Sequence, residues 1–164
     1  MSKQATKAIG NVYCQARLKA AQYNEKLRSR AGAAEVIPGV SEDSIKKYEL
    51  DITRPPNDVV ALMADAYNAP ELRAWYCTHE CPLGRDCREI KDMPPERALI
   101  RARNTIKQLE LAIQSFAEIV DDGIIDENEM TEIPALREQF LEARRRLDEN
   151  LAVFDKIEKK GSLE

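Results

Sequence analysis

Thiols and imidazole come closest together in this chain between Tyr76 and Cys87, where three of the four cysteines and the single histidine fall within eleven residues. Cys77, His79, Cys81 and Cys87 are ligand types that zinc prefers. Their spacing, C-x-H-x-C-x5-C, lacks the C-x2-C knuckle of common structural zinc sites, and Cys14 completes a set of four only if the fifth helix packs beside the first. Zinc is therefore the less favoured reading of the cluster, and no other cofactor is expected. The favoured one places Cys77 and Cys81 on one helical face as small apolar side chains, with His79 exposed. In an oxidised sample a Cys77–Cys81 or Cys81–Cys87 disulfide is the expected product. As nucleophile and base the cluster lacks an orienting partner. With no convergent acid, base and nucleophile set and no phosphate-cradling glycine loop, the chain does not read as an enzyme.

A second apparent ligand run, from Asp121 to Glu129, resembles half of a calcium loop, with Gly123 at the sixth place and Glu129 at the twelfth. Counting back puts Glu118 at the first ligand place and Val120 at the third. Valine cannot coordinate calcium, so the run reads instead as a turn followed by a capping pair, Asp126 with Glu129.

The elements that must position any site begin with Ser29 to Pro56, SRAGAAEVIPGVSEDSIKKYELDITRPP. Ser29 suits an N-cap, and Ala31, Gly32, Ala33 and Ala34 make a thin helix across which another packs closely. Pro38-Gly39 ends it. Ser41 then caps a second helix, Glu42 to about Leu50, with Glu42 and Asp43 suited to its positive N-terminal end. Ile45 and Tyr48, with Ile52 beyond them, face inward; Ser44, Lys46 and Lys47 face out. This is the geometry of a helix-turn-helix.

The order of small-residue helix, Gly39-Val40-Ser41, Ser44-Ile45, Tyr48-Glu49, Arg54-Pro55 and a helix carrying Leu62-Met63-Ala64 resembles the Cro/repressor-type (XRE) DNA-binding domain, over roughly residues 10 to 75. Two departures stand out. Pro38 adds one residue before the turn glycine, and the usual glycine after the Tyr-Glu pair is replaced, leaving Leu50-Asp51. The resemblance implies a lambda-repressor-like fold in which Glu42, Asp43, Ser44 and Lys47 face base edges. Phosphate contacts fall to Ser29, Arg30, Lys46, Thr53 and Arg54. The chemistry agrees in part: Lys47 and Ser44 can donate to bases or phosphate, but Glu42 and Asp43 meet phosphate repulsion unless they accept from cytosine amino groups. The alternative role of those acids is to stabilise the helix end.

Charge is unevenly distributed along the 164 residues. Residues 1–70 carry ten Lys or Arg against eight Asp or Glu, a net +2, and the remainder fifteen against twenty-one, a net -6, which together make -4. The weak positive excess lies where the helix-turn-helix lies, which agrees with DNA contact and argues against indiscriminate binding. Composition at 33% charged residues and six glycines favours helices. No apolar run approaches the ~20 residues of a membrane span, and MSKQATKAIG lacks the apolar core of a leader peptide, so a cytoplasmic protein with reduced cysteines is expected.

Other helices follow from periodicity. Ile9 to about Lys26 reads as the first, with Val12, Ala16, Ala20, Tyr23 and Leu27 inward. Asn57 or Asp58 caps another carrying Val59, Val60, Leu62, Met63, Ala66 and Tyr67, and Glu71 to about His79 forms a fifth. Beyond Met93-Pro94-Pro95 the pattern changes to heptads: Leu99, Ala102, Ile106, Leu109, Ile113, Phe116 and Val120, a rod roughly 40 Å long at ~1.5 Å per residue. After Gly123 a second rod continues with Ile133, Leu136, Phe140, Ala143, Leu147, Asn150, Phe154 and Ile157, and Pro134 should kink or restart it. Asn150 either sits in the seam and fixes register, or yields the seam to Leu151.

The expected architecture is thus all-α: a five-helix helix-turn-helix domain over 8–81, a Cys/Pro linker over 82–94 and a long antiparallel coiled-coil hairpin over 95–160. The leading functional expectation is a transcriptional regulator that reads duplex DNA with helix 42–50, as a homodimer, with no membrane partner. Oligomerisation would use Leu99, Ile106, Leu109, Ile113, Phe116, Phe140, Leu147, Asn150 and Phe154. The alternative is a protein-interaction adaptor that binds through the hairpin and keeps the helix-turn-helix as scaffold.

Overall fold

The computed structural model describes residues 8–84 and 86–161; residues 1–7, which make up most of the stretch read for a leader, lie outside them. Among the described residues every regular element is helical. No helix among the described residues is long and apolar enough to cross a membrane.

The first helix, α1 (Val12–Ala20), is shorter at both ends than its apolar spacing predicts. Asn11 starts it by accepting from the amides of Tyr13 and Cys14, and after Ala20 the chain turns until Asn24 caps a separate 3-10 turn, Glu25–Arg28. The break changes the inward set. Tyr13, Cys14, Arg17 and Ala20 are buried, while Tyr23 is 83% exposed in the turn.

Next comes α2 (Arg30–Val36), capped by the Ser29 hydroxyl, which accepts from the Gly32 amide at 3.0 Å. Gly32 is where thinness matters: a Cβ there would lie 2.0 Å from the Lys26 carbonyl oxygen, so α2 meets the 3-10 turn backbone to backbone. The chain turns through Gly39, whose φ of 73° suits glycine, into α3 (Glu42–Glu49). The Ser41 hydroxyl accepts from the Ser44 amide at 3.1 Å. Helix α3 ends at Leu50, and Asp51 takes the left-handed conformation at φ 55°. Aspartate tolerates that conformation better than most residues. Here Asn11 anchors it, donating to the Asp51 carboxylate at 2.7 Å and to the Tyr48 carbonyl at 3.0 Å. Ile52, expected to face inward, is exposed just after this reversal.

Two further helices, α4 (Asn57–Ala66) and α5 (Glu71–His79), close the core. Pro56, not Asn57 or Asp58, stands at the start of α4, and no side chain caps it. Leu27, Ile37, Ile45, Val60, Met63 and Leu72 are all but inaccessible to water, each contributing roughly 1.5–3 kcal/mol of transfer free energy, and Tyr13 is buried among them. Tyr13 also meets Trp75 edge-on at 5.7 Å, tying α1 to α5.

Beyond this core two long helices, α6 (Pro95–Ile119) and α7 (Glu127–Gly161), run antiparallel and pack along each other. Their connection is capped as expected: Asp126 and Glu129 exchange two 2.8 Å bonds, each accepting from the other's amide. Pro134 does not restart α7, which continues as one helix through it. One missing amide is tolerated this close to the capped end.

On α6 the packed seam is displaced by one residue from the predicted one, whereas on α7 Leu136 and Ala143 keep their predicted places. Ala98, Thr105, Ala112 and Ile119 are the buried side chains of α6, and Leu136, Ala143, Glu149 and Val153 those of α7. Leu109 is half-buried at the seam's edge, but Leu99, Ile106, Ile113, Phe116, Phe140, Leu147 and Phe154 are all exposed. Small side chains let the two helix axes approach closely, and the bulky neighbours are left outside. Asn150 is half-buried and bonds its own helix, donating to the Arg146 carbonyl at 2.8 Å.

The segment between α5 and α6 is a strap held by ion pairs. Asp86 meets Arg137, Arg88 meets Glu138 at 2.7 Å, and the Lys91 amide reaches the buried Glu149 carboxylate at 3.4 Å. Glu149 also takes Arg145 at 3.2 Å and Arg146 at 3.1 Å. Asp92 bridges Lys19 of α1 and Lys156 of α7, while Lys156 reaches Glu71 at 2.9 Å and Lys159 reaches Asp65 at 2.9 Å. The C-terminal end of α7 therefore sits against α1, α4 and α5, away from the outer side of α3.

Candidate functional site

The surface of α3 is built from its buried side. Ile45 and Glu49, four residues apart, have no exposed area, which anchors one face of the helix in the core and turns Glu42, Asp43, Lys46 and Lys47 outward. Glu49 is the unexpected member. Its carboxylate accepts from Arg17 Nε at 2.6 Å and Nη2 at 3.1 Å, and from Arg30 Nε at 2.7 Å. Burial works against the Arg17 charge, but the bonds and field of Glu49 more than offset it and raise the guanidinium above its ordinary range. Arg17 additionally donates to the Leu27 and Arg28 carbonyls. One cluster thus joins α1, the 3-10 turn, α2 and α3. The spacing held a usable signal: Arg17 lies in the Tyr13–Ala20 stripe and Glu49 one turn after Ile45, a charge of each sign on an apolar face.

On the outer side, Lys47 and Asp43 pair at 2.7 Å one turn apart, which lowers the Asp43 carboxyl and raises the Lys47 ammonium relative to their usual ranges. Ser44, half-buried, has its hydroxyl 2.9 Å from that of Ser41. Lys46 and Glu42 are exposed, as is Thr53 beyond the helix. Two expected phosphate contacts are otherwise engaged: Arg30 lies on Glu49, and Arg54 pairs with the Glu80 carboxylate and donates to its carbonyl at 3.2 Å. Ser29 is spent on capping α2.

The cysteines divide into two environments. Cys14 is buried beside Arg17 and Glu49, its thiol pushed up first by burial and then by the Glu49 charge, so it does not complete a set with the other three. Cys77, Cys81 and Cys87 are brought together and half-buried, and the Cys77 thiol is raised chiefly by burial, then by Cys87 and Cys81 beside it. The fold-back is tight: Cys81 lies past the end of α5, its amide donating to the Tyr76 carbonyl at 3.0 Å, and a Cβ on Gly84 would stand 1.7 Å from the Cys77 carbonyl oxygen. His79 is stacked on Trp75 at 4.7 Å, with Nδ1 3.0 Å from the Trp75 carbonyl and Nε2 3.0 Å from Glu89, so both ring nitrogens are engaged. Among the described residues no group of three or more His, Cys, Asp and Glu side chains is arranged to hold a metal ion.

Compared with protein-family models, curated proteins and solved structures, the chain gives no match.

Proposed function

We propose that this chain binds duplex DNA as a transcriptional regulator, with α2 and α3 acting as a helix-turn-helix and α3 entering the major groove. One observation carries the reading: α3 is locked on its inner face by Ile45 and Glu49, while Glu42, Asp43, Lys46 and Lys47 stay exposed on a side that the long helices leave uncovered. Ser44 and Lys47 are the base-reading candidates, and Lys46 and Thr53 the phosphate contacts left free. As a dimer the protein would set two α3 helices roughly 34 Å apart and so prefer an inverted repeat.

The Asp43–Lys47 pair makes the reading sharp. DNA must displace Asp43 from Lys47, so Asp43→Ala should tighten binding several-fold and Lys47→Ala should weaken it, lowering the salt slope by about one. Fluorescence polarisation with labelled random and inverted-repeat duplexes reads both. Absence of salt-dependent binding at micromolar protein and low salt overturns the proposal. That result would favour the adaptor reading, supported by the exposed apolar face of α6 and α7.

A further inference from the structure

The α6–α7 pair has two unlike broad faces. On one, Gln108 and Ser115 of α6 and Glu138, Gln139 and Glu142 of α7 share a mixed groove with Leu109, Leu111, Ala112 and Ala143. On the other, Phe116 meets Ile133, Leu136 and Phe140 around an apolar groove. Helical spacing extends that apolar face along both rods, with Leu99, Ile106 and Ile113 on the Phe116 side of α6 and Phe140, Leu147 and Phe154 along α7. Each row repeats every seven residues. Ile113 and Leu147 are each 51% exposed, far more than a buried seam residue such as Ala112 at 1%.

We infer that this face is covered by the same face of a second copy of the chain, so that two helix pairs close into a four-helix bundle. This names the face through which the dimer of the proposed function forms. A strict seven-residue repeat on two neighbouring helices matches other helices with the same repeat and has no such match to a flat surface. A two-fold axis supplies that match, because each copy presents the same patch. The amount of surface agrees as well. Seven large apolar side chains about half exposed amount to roughly 700 Å² per chain, close to the ~800 Å² per partner of a stable interface. The small residues at 98, 105 and 112 are already committed within the chain, so dimerisation needs no rearrangement of α6 against α7.

The test is the mass of the full-length protein without DNA, measured by light scattering and by sedimentation through a dilution series. The expected mass is twice the 18.6 kDa of one chain. Ile113→Ala with Leu147→Ala, changes that favour the helix while removing apolar surface, should raise the dimer dissociation constant at least ten-fold. Gln108→Ala with Ser115→Ala on the opposite, mixed face should leave it unchanged. A monomer at micromolar concentration, a higher oligomer, or a dimer as tight in the Ile113→Ala/Leu147→Ala protein overturns the inference. Because the readout contains no DNA, its failure is distinguishable from failure of α3 to bind duplex.

Discussion

A carboxylate with no water around it must be answered by positive charge, and Glu49 is answered by two guanidinium groups, one of them nearly as buried as itself. The arrangement stabilises less than its three hydrogen bonds would imply, because both charges had to be stripped of solvent. Breaking it is costly all the same, because the survivor stays buried without a partner. Glu49→Ala should therefore lower stability by about 3–5 kcal/mol in urea unfolding. Replacing Arg17 by Met and Glu49 by Leu together should cost clearly less than that single change; equal or greater loss in the double variant would contradict the account. The thiols make a separate prediction at this scale. With oxidised glutathione as the oxidant, Cys77 should link to Cys87, the thiol that acts on it more strongly, and not to Cys81. Peptide mapping distinguishes the two linkages, and Cys87→Ser should abolish the product.

For the helices, which side chains are small matters more than which are apolar. Between α6 and α7 the chain places Ala98, Ala112 and Ala143, and this brings the axes close; leucine or isoleucine one residue along would hold them apart. Ala112→Leu should overpack the seam and cost about 1–3 kcal/mol, seen as a lower thermal midpoint. Gln114→Leu, two positions away on the outward side of the helix, should change stability by no more than ~0.5 kcal/mol. Equal effects at the two positions would mean that the seam has been placed wrongly. The same logic explains α2, where Gly32 allows contact with the 3-10 turn that any side chain would block.

In the molecule as a whole, the long helices are joined to the five-helix core by charge more than by apolar burial. Asp92 is partly buried, which raises its carboxyl, but the bonds from Lys156 and Lys19 outweigh this and hold it below the ordinary range. Asp65 behaves likewise: burial raises it, and Lys159 and Arg73 lower it further. A carboxyl depressed in the folded state stabilises the fold fully above its unfolded value, near pH ~4, and that contribution is lost as pH falls through the folded value. Acidification from about pH 5 to about pH 3 should therefore loosen the end of α7 from α1, α4 and α5 before the apolar core opens. Hydrogen exchange should show faster exchange around Lys156 and Lys159 and in the 86–92 strap while Ile45 and Met63 stay protected. Asp92→Asn should show that loosening already at neutral pH. Simultaneous loss of protection across both regions would show that the ion pairs do not set this joint.

Local grammar in the sequence was enough to determine most helix ends and the all-helical class. Ser29, Ser41 and the Asp126–Glu129 pair each satisfy amides within three residues, and Gly39 takes its turn from backbone sterics alone. The early end of α1 at Ala20 escaped that grammar, since the apolar spacing continues past it to Tyr23. Tertiary structure decided what depends on residues far apart. It put Glu49 on Arg17, thirty-two positions away, and left one of two adjacent heptad rows outside. It also folded Gly84 onto the Cys77 backbone. Periodicity shows that a helix has an apolar stripe about one residue wider than a single seam, but which edge closes first is set by how near the partner helix can come.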